Sequence, residues 1–279
     1  MGADGLPCGL LADWNDCLKL GYHGESLFVA FQLRLGLTTY ADISNRNKKK
    51  DEAKWALEQR ETLDANIQKK CWDGKWFIWA IAEDGTVYGT QSIEEGQIYF
   101  NTQVWAVLSS AATAEQARIC MESVKEKLAT PYGLMLCAPP FVKTRSDIMS
   151  SVVFLPGIKE NAGIFNHTQG WGVIAETMLG NGDRAYEYIK AAIPAAYNDK
   201  AEIRQSEPYV IGQTTYSTFS KRPGNTRVSW LSGAGTWSYY AITQYILGIK
   251  PQYNGMLFDP CIKSDWDGYT VERRWRNMN

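Results

Sequence analysis

The sequence predicts a mainly α protein: helical hairpins joined by long polar loops, one short β hairpin among them, and a β stub at the C-terminus. Two observations carry this. Most segments between Glu25 and Ile249 repeat apolar residues every three to four positions, the period of a helix with one buried face. After about residue 252 the pattern changes to alternation, with Tyr269, Val271, Arg273 and Trp275 on one side and Thr270, Glu272 and Arg274 on the other, the period of a strand. The buried β runs of a parallel α/β sheet are missing.

Taken in order, Glu25–Leu37 places Leu27, Phe31 and Leu35 on one stripe with Phe28 beside it, a helix expected to stop near Gly36. Asp51–Lys70 sets Trp55, Leu63 and Ile67 against charged residues and predicts a second helix. Asp73-Gly74 and Asp84-Gly85 are turn dipeptides around Trp76–Trp79, which predicts a hairpin. Asn101–Ala112 reads as a helix, and Thr113–Gln116 as a capping box opening another, to about Leu128. Pro131–Pro156 is loop-rich. Helices follow over His167–Leu179 and Asp183–Ile193, stopped by Gly180-Asn181-Gly182 and by Pro194. Ser206–Ser220 is irregular. Gly235–Ile249 is helical, with Trp237, Ala241 and Tyr245 on one stripe. Helical hairpins with long loops suit an α/α toroid, whose loops gather at one end and build a site.

Composition narrows the function. The 279 residues are 45% hydrophobic and 21% charged, and the net charge is −1, so no general electrostatic attraction to nucleic acid or an anionic membrane exists. The Lys48-Lys49-Lys50 run is bracketed by Asn and acidic residues and reads as a solvated loop and helix start. No apolar run is long enough to span a bilayer, and the N-terminus lacks a signal-peptide pattern. The six cysteines form no C-x-x-C pair and no Cys/His cluster, so reduced thiols in the cytoplasm are expected, without a metal. The excess is aromatic: 11 Trp and 15 Tyr against 2 His. Such rings cover the apolar face of a sugar while offering a polar edge, and a large helical core uses them too.

Four polar segments interrupt the amphipathic pattern: Leu11–Leu18, Gly157–His167, Glu207–Gln213 and Trp230–Gly233. In the first, Asp13, Trp14, Asn15 and Asp16 combine two carboxylates, an indole and an amide. That mixture fits a sugar pocket, and it fits a capping turn with Trp14 packed underneath. His167 and Ser232-Gly233 stand at predicted helix starts, where free N–H groups favour an anion. The same positions suit a capping histidine and a plain N-cap. No phosphate-binding G-x-x-x-x-G-K-[ST] and no dinucleotide G-x-G-x-x-G is present.

The segments ADWNDCL (12–18), GESLFVAFQL (24–33), GIKENAGIFNHTQGW (157–171), MLGNGDRAYEY (178–188), EPYV (207–210) and WLSG (230–233) closely resemble, in this order, the catalytic domain of glycoside hydrolase family 94, the cellobiose and chitobiose phosphorylases. The resemblance runs across nearly the whole chain. It implies part of an (α/α)6 barrel over residues 1–251 and the start of a C-terminal β domain over 252–279. It implies inverting phosphorolysis of a β-linked disaccharide, with inorganic phosphate as co-substrate and no cofactor. By motif matching, Asp16 takes the place of the general acid, and Trp14, Lys159, Glu160 and Gln213 contact the transferred sugar. His167, Ser232 and Gly233 take the place of the phosphate binders; Ser232 stands where the family often has Thr, and it keeps the hydroxyl. Phe154 falls where a bulky residue accompanies a glucose acceptor and a small one an N-acetyl group, which leans toward cellobiose. A proton donor of this kind needs a raised pKa and a largely enclosed site.

The resemblance also implies a missing N-terminal part, since family members carry several further domains and phosphate-binding groups before the acid. The chain is therefore expected to be a fragment, with a homodimer or pairing with the N-terminal half as its partners besides disaccharide and phosphate. An inverting hydrolase using Glu160 as base and a non-catalytic sugar-binding or assembly fragment are the alternatives.

Overall fold

A computed structural model describes residues 1–231 and 233–276. The chain is helix-rich with small sheets. Its helices are α1 (Leu27–Arg46), α2 (Lys50–Lys70), α3 (Phe100–Leu108), α4 (Ala114–Leu128), α5 (Gln169–Met178), α6 (Gly182–Ala192), α7 (Ala201–Arg204) and α8 (Ala234–Tyr240), the last running on as a π-helical stretch, Ala241–Ile246. The strands are short. A three-stranded antiparallel sheet joins β1 (Glu25–Ser26), β2 (Ala80–Ile81) and β3 (Val87–Tyr88). Next come β4 (Ile98–Tyr99), β5 (Ala129–Thr130), β6 (Gly133–Leu134) and β7 (Cys137–Ala138), paired as β4–β7 and β5–β6. A second three-stranded sheet has β9 (Gly212–Thr215) between β8 (Ile164–Phe165) and β10 (Thr226–Ser229). β11 (Ile249–Gln252) and β12 (Gly255–Phe258) form a hairpin.

The helical hairpin α1–α2 shows how the sequence packs. Ser26 caps α1, its hydroxyl accepting from the Val29 N–H at 3.2 Å. The helix does not stop at Gly36. It continues to Arg46 because Leu37, Ala41 and Ser44 carry the buried stripe onward, against Ala53, Ala56 and Leu63 of α2. An exposed glycine weakens a helix by only ~1 kcal/mol, and burying one leucine side chain contributes about 1.5–3 kcal/mol. Leu35, placed on the stripe by its spacing, is 37% exposed, and Trp55 is 53% exposed with its ring edge-on to Tyr40. Arg34 ties the pair together: its guanidinium meets the Asp64 carboxylate at 2.6 Å and also bonds the Ser109 carbonyl at the end of α3.

The capping box at Thr113 is complete, with Thr113 and Gln116 each bonding the other's backbone N–H. The hairpin at 80–88 forms as its turn dipeptides predict, and β1 adds a third strand. Two expectations fail. The irregular Ser206–Ser220 segment contains β9, the central strand of its sheet; a run of Gly, Gln and Thr carries no apolar alternation to announce it. Conversely, 269–275 alternates but forms no strand. Tyr269 and Val271 are about two-fifths exposed and join no ladder among the described residues; the segment makes a single-residue bridge at Trp275. The strands lie earlier, at 249–258, where Gly255 closes a tight turn.

One large core gathers Phe28, Phe31, Phe77, Phe100, Trp105 and Trp171 from α1, α3, α5 and the hairpin. A second gathers Leu18, Leu20, Trp79, Tyr99 and Phe165 beneath the opening segment. Among the described residues, no helix is long and apolar enough to cross a membrane.

Candidate active site

The opening segment is a pair of successive Asx turns, and no helix follows it. Asp13 Oδ1 accepts from the Asn15 N–H at 2.8 Å, and Asn15 Oδ1 from the Cys17 N–H at 3.0 Å. Asn15, Cys17 and Leu18 are buried, so the turn is pinned from below. Asp13 is the main anchor. Its Oδ2 accepts from the Trp79 indole at 2.6 Å and from the Ser26 hydroxyl at 2.7 Å. Burial pushes the Asp13 carboxyl up from its ordinary value, and these hydrogen bonds pull the other way. The same Ser26 caps α1, so the turn is registered to that helix. Asp16, next to the buried pair, is thrown outward and exposed. The enclosure expected around a proton donor is not supplied by the described residues.

Trp14 crosses the fold. Its Nε1–H donates to His167 Nε2 at 3.2 Å, and its ring meets Phe165 edge-on at 5.0 Å. His167 sits in a single 3₁₀ turn, Asn166–Thr168, between β8 and α5, rather than at the helix start itself. Burial lowers its pKa, which favours the neutral ring. With Nε2 accepting the indole proton, the neutral imidazole carries its own proton on Nδ1, a donor free to face an anion. Trp171, one turn along α5, packs edge-on against His167 at 5.7 Å and holds the ring's orientation.

The start of α8 is brought to the same place. Gly170 of α5 lies so close to Trp237 that an added Cβ would come within 2.8 Å of the Trp237 carbonyl oxygen, so the two helices cross at a glycine. Trp171 and Trp237 pack edge-on at 5.7 Å. Gly233 caps α8, exposed, its carbonyl accepting from the Trp237 N–H at 3.1 Å. Ser232 lies outside the described residues.

Lys159, Glu160 and Phe154 form a second cluster. The chain reverses tightly at 158–163: Gly163 N–H donates to the Lys159 carbonyl at 2.9 Å, and a Cβ at Gly163 would strike the Lys159 backbone at 2.4 Å. The Lys159 ammonium stands over the Phe154 ring, 5.4 Å from its centroid. Glu160 turns inward. Its Oε2 is buried with no hydrogen-bond partner, and burial raises its pKa, with the Asp16 charge adding to the rise and Lys159 opposing it. The Cys17 thiol is likewise pushed up to about 11 by burial, with the charges of Glu160 and Asp16 adding. Gln213 lies in β9 beside Thr214, the partner of Phe165; it is half-buried and makes no described side-chain hydrogen bond.

The fold therefore joins Trp14 to His167 and brings the Gly233 cap toward the His167 turn. It leaves Gln213 without a described contact to the others. Two positioning residues escaped the sequence reading. Asn161 is fully buried, bonds the Phe141 backbone in both directions, and donates to the Phe154 carbonyl at 2.8 Å. Glu95 takes the backbone N–H groups of Val142, Lys143 and Thr144, each at 2.9 Å. Both hold the segment that carries Phe154. Asn161 stands within the polar run at 157–167; nothing local marks Glu95.

Comparison with known proteins gives the arrangement a context. The family described as "Glycosyl hydrolase 94 superfamily, catalytic domain" matches residues 1–248. An N,N'-diacetylchitobiose phosphorylase of Vibrio proteolyticus is 38% identical over 99% of this chain and 35% of its own length. A solabiose phosphorylase of Paenibacillus borealis is 31% identical over 99% of this chain and 36% of its own. The chain thus spans about a third of the length of the curated relatives it matches. Among solved structures, a sialidase superposes with a TM-score of 0.66 over 94% of this chain and 24% of that one, at 12% identity, which is a likeness of fold.

Proposed function

Because the chain belongs to the glycosyl hydrolase 94 superfamily as a stretch of its catalytic domain, we propose that it carries part of the site for inverting phosphorolysis of a β-linked disaccharide. The observation that supports this best is the Trp14–His167 hydrogen bond, which fastens the turn bearing Asp16 to the turn bearing the His167 imidazole across 153 positions of sequence. In this reading phosphate attacks C1 from the face opposite the bond to be broken. The C1–O bond to the leaving sugar breaks as the new C1–O–P bond forms, and the Asp16 proton passes to the leaving oxygen. Phosphate is already a nucleophile, so no second carboxylate is needed as base, unlike the water-activating pair of an inverting hydrolase. His167 Nδ1–H, with Ser232 and Gly233 at the α8 start, holds the anion against C1. Trp14 walls the transferred sugar. Lys159, Glu160 and Gln213 take its hydroxyls, and the unpartnered Glu160 oxygen supports that role.

We further place residues 1–251 in an (α/α)6 barrel, with 252–279 opening a β domain. The greater length of the relatives accords with further barrel residues, or a partner chain, enclosing Asp16. The protein is proposed to act in the cytoplasm. For the acceptor sugar, Phe154 beneath the Lys159 ammonium supports glucose, hence cellobiose giving glucose 1-phosphate and glucose. The 38% identical relative acts, by its name, on N,N'-diacetylchitobiose, which makes that disaccharide the competing substrate.

The test is incubation of the chain with phosphate and either disaccharide, read by phosphorus NMR. An α-configured sugar 1-phosphate is expected, and Asp16→Asn should lower its formation by about 10²–10⁴-fold, the usual worth of a positioned general acid. Equal rates in the two proteins would remove Asp16 from the mechanism. Turnover without phosphate would make the chain a hydrolase, and sugar binding in calorimetry with no turnover would make it a binding fragment.

A further inference from the structure

Away from this site, Arg204 is a buried charge with few polar partners. It closes α7 and is 5% exposed. Its guanidinium stacks 3.5 Å from the Tyr197 ring centroid, with Tyr132 at 5.5 Å. A guanidinium has five N–H donors. Here one bonds the Ala191 carbonyl at 3.1 Å, one makes a long 3.4 Å contact to Thr215 Oγ1, and Nε is buried with no partner. Among the described residues no carboxylate pairs with it. Glu207, the nearby acid, is held by the Ser229 hydroxyl instead. Buried charges are ordinarily paired, because an unpaired one loses its hydration with nothing in return.

Arg204 lines a cleft of about 100 Å³ between the 194–204 turns and the β8–β9–β10 sheet, which Asn198, Ser206, Glu207, Thr215 and Thr226 also line. This is smaller than the ~150 Å³ cavity that accepts a benzene ring, so it suits an ion of acetate, phosphate or sulfate size. The cleft is not the front of the candidate active site. Thr215 Oγ1 lies between Arg204 and Asn166, 3.2 Å from the Asn166 side chain, which places the cleft behind the His167 turn.

We propose that this cleft is a binding site for a small oxyanion, a carboxylate or an inorganic tetrahedral anion, anchored by the Arg204 guanidinium and completed by the hydroxyls of Ser206 and Thr226. Stacking occupies the face of the guanidinium, so such an anion would be met by the in-plane N–H groups that Ala191 and Thr215 do not use. The proposal stands independently of phosphorolysis.

It is tested on the whole chain by following the Nε–Hε resonance of Arg204 in a ¹⁵N-arginine-labelled sample. The signal is assigned by its proximity to the Tyr197 ring and checked with Arg204→Lys. Sodium acetate, sulfate and phosphate are titrated separately. A saturable shift with at least one of them is expected, retained in His167→Ala, which removes the anion donor of the front site. Ala201→Phe, at an exposed position that lines the cleft, leaves Arg204 in place and should abolish the shift even where Arg204→Lys fails to fold. Saturation by acetate alone identifies a carboxylate, and by sulfate or phosphate alone an inorganic ion. The absence of saturation with all three, or a shift that survives Ala201→Phe and disappears in His167→Ala, overturns the proposal.

Discussion

At the scale of single residues, the site depends on the protonation of groups the fold has buried. His167 is held neutral by burial, so its folded pKa lies below the ordinary value of about 6.5. The unfolded chain then binds a proton at a higher pH than the folded one. Stability from this group is complete above about pH 6.5 and is lost as pH falls toward the depressed folded pKa. Protonation would also put a second N–H against the Trp14 indole proton. Thermal melts of the wild type should therefore drop faster between neutral and mildly acidic pH than melts of His167→Gln. Parallel curves would remove His167 as the titrating group. Asp13 works in the opposite sense: its raised pKa favours the folded state more at low pH, which is why the difference between two variants is the informative quantity. Asp13→Asn keeps the shape but weakens the acceptor of the Trp79 and Ser26 protons. A loss of about 1–3 kcal/mol in urea unfolding is expected, as for a buried donor left without its partner. Asp16 owes its place to these neighbours. The polar composition at 13–16 is legible in the sequence, but which carboxylate anchors and which faces outward follows from Trp79, 66 residues away.

At the scale of elements, the segment 141–155 is a strap held by Asn161 at its two ends, by Glu95 at 142–144, and in its middle by the Tyr88 hydroxyl donating to the Ile148 carbonyl and the Ser150 N–H donating to the Cys17 carbonyl. It exposes the side chains of Val142, Val153 and Leu155. Asn161→Ala removes three hydrogen bonds in a buried setting. It should lower stability by about 2–4 kcal/mol and loosen Phe154 and the Glu160 turn together. Glu95→Ala leaves the core intact and frees only the strap. Limited proteolysis should then cut within 142–155 far faster than in the wild type, while the thermal midpoint moves by only a few degrees. An unchanged cutting pattern would show that the strap is held elsewhere. The Glu95 carboxylate is kept below its ordinary pKa by the strap's donors, against burial, so this stitch fails as pH drops through that lowered value. The loop character of 131–156 is visible in its prolines, but the stitching residues are not. One Glu of the Glu94-Glu95 pair looks like any solvated acid until the three N–H groups it accepts are brought to it.

At the scale of the whole molecule, one aromatic column runs from the candidate site into the core: Trp14, His167, Trp171, then Trp105, Phe28 and Trp237. Trp14 meets His167, His167 meets Trp171, and Trp171 meets Trp105, Phe28 and Trp237, at 5.4–6.0 Å and mostly edge-on, which suits the quadrupoles of the rings. Trp171 is the hub. Trp171→Ala should cost about 3–5 kcal/mol in chemical denaturation and should also release the His167 ring. Trp171→Phe should recover most of the stability. A small effect of the alanine variant would show that the column is not continuous with the core. The tryptophan excess, which fits either a sugar site or a large core, thus serves both: Trp14 at the surface end, and Trp105 and Trp171 at the buried one.

The sequence by itself determined the mainly helical class, the capping box, the early hairpin, the family and the segments that make up the candidate site. All of these rest on period, turn chemistry and motif, which are local and leave their mark in neighbouring residues. Tertiary structure alone decided that α1 passes through Gly36, that β9 is a central strand, that 269–275 is not a strand, and that Asp13 anchors while Asp16 faces out. The reason is common to all four. Each depends on what a distant part of the chain supplies: an α2 face for the helix, β8 and β10 for the strand, no ladder among the described residues for the tail, and the Trp79 indole for the carboxylate. A polar or glycine-bearing segment does not say in its own sequence which of these it will meet.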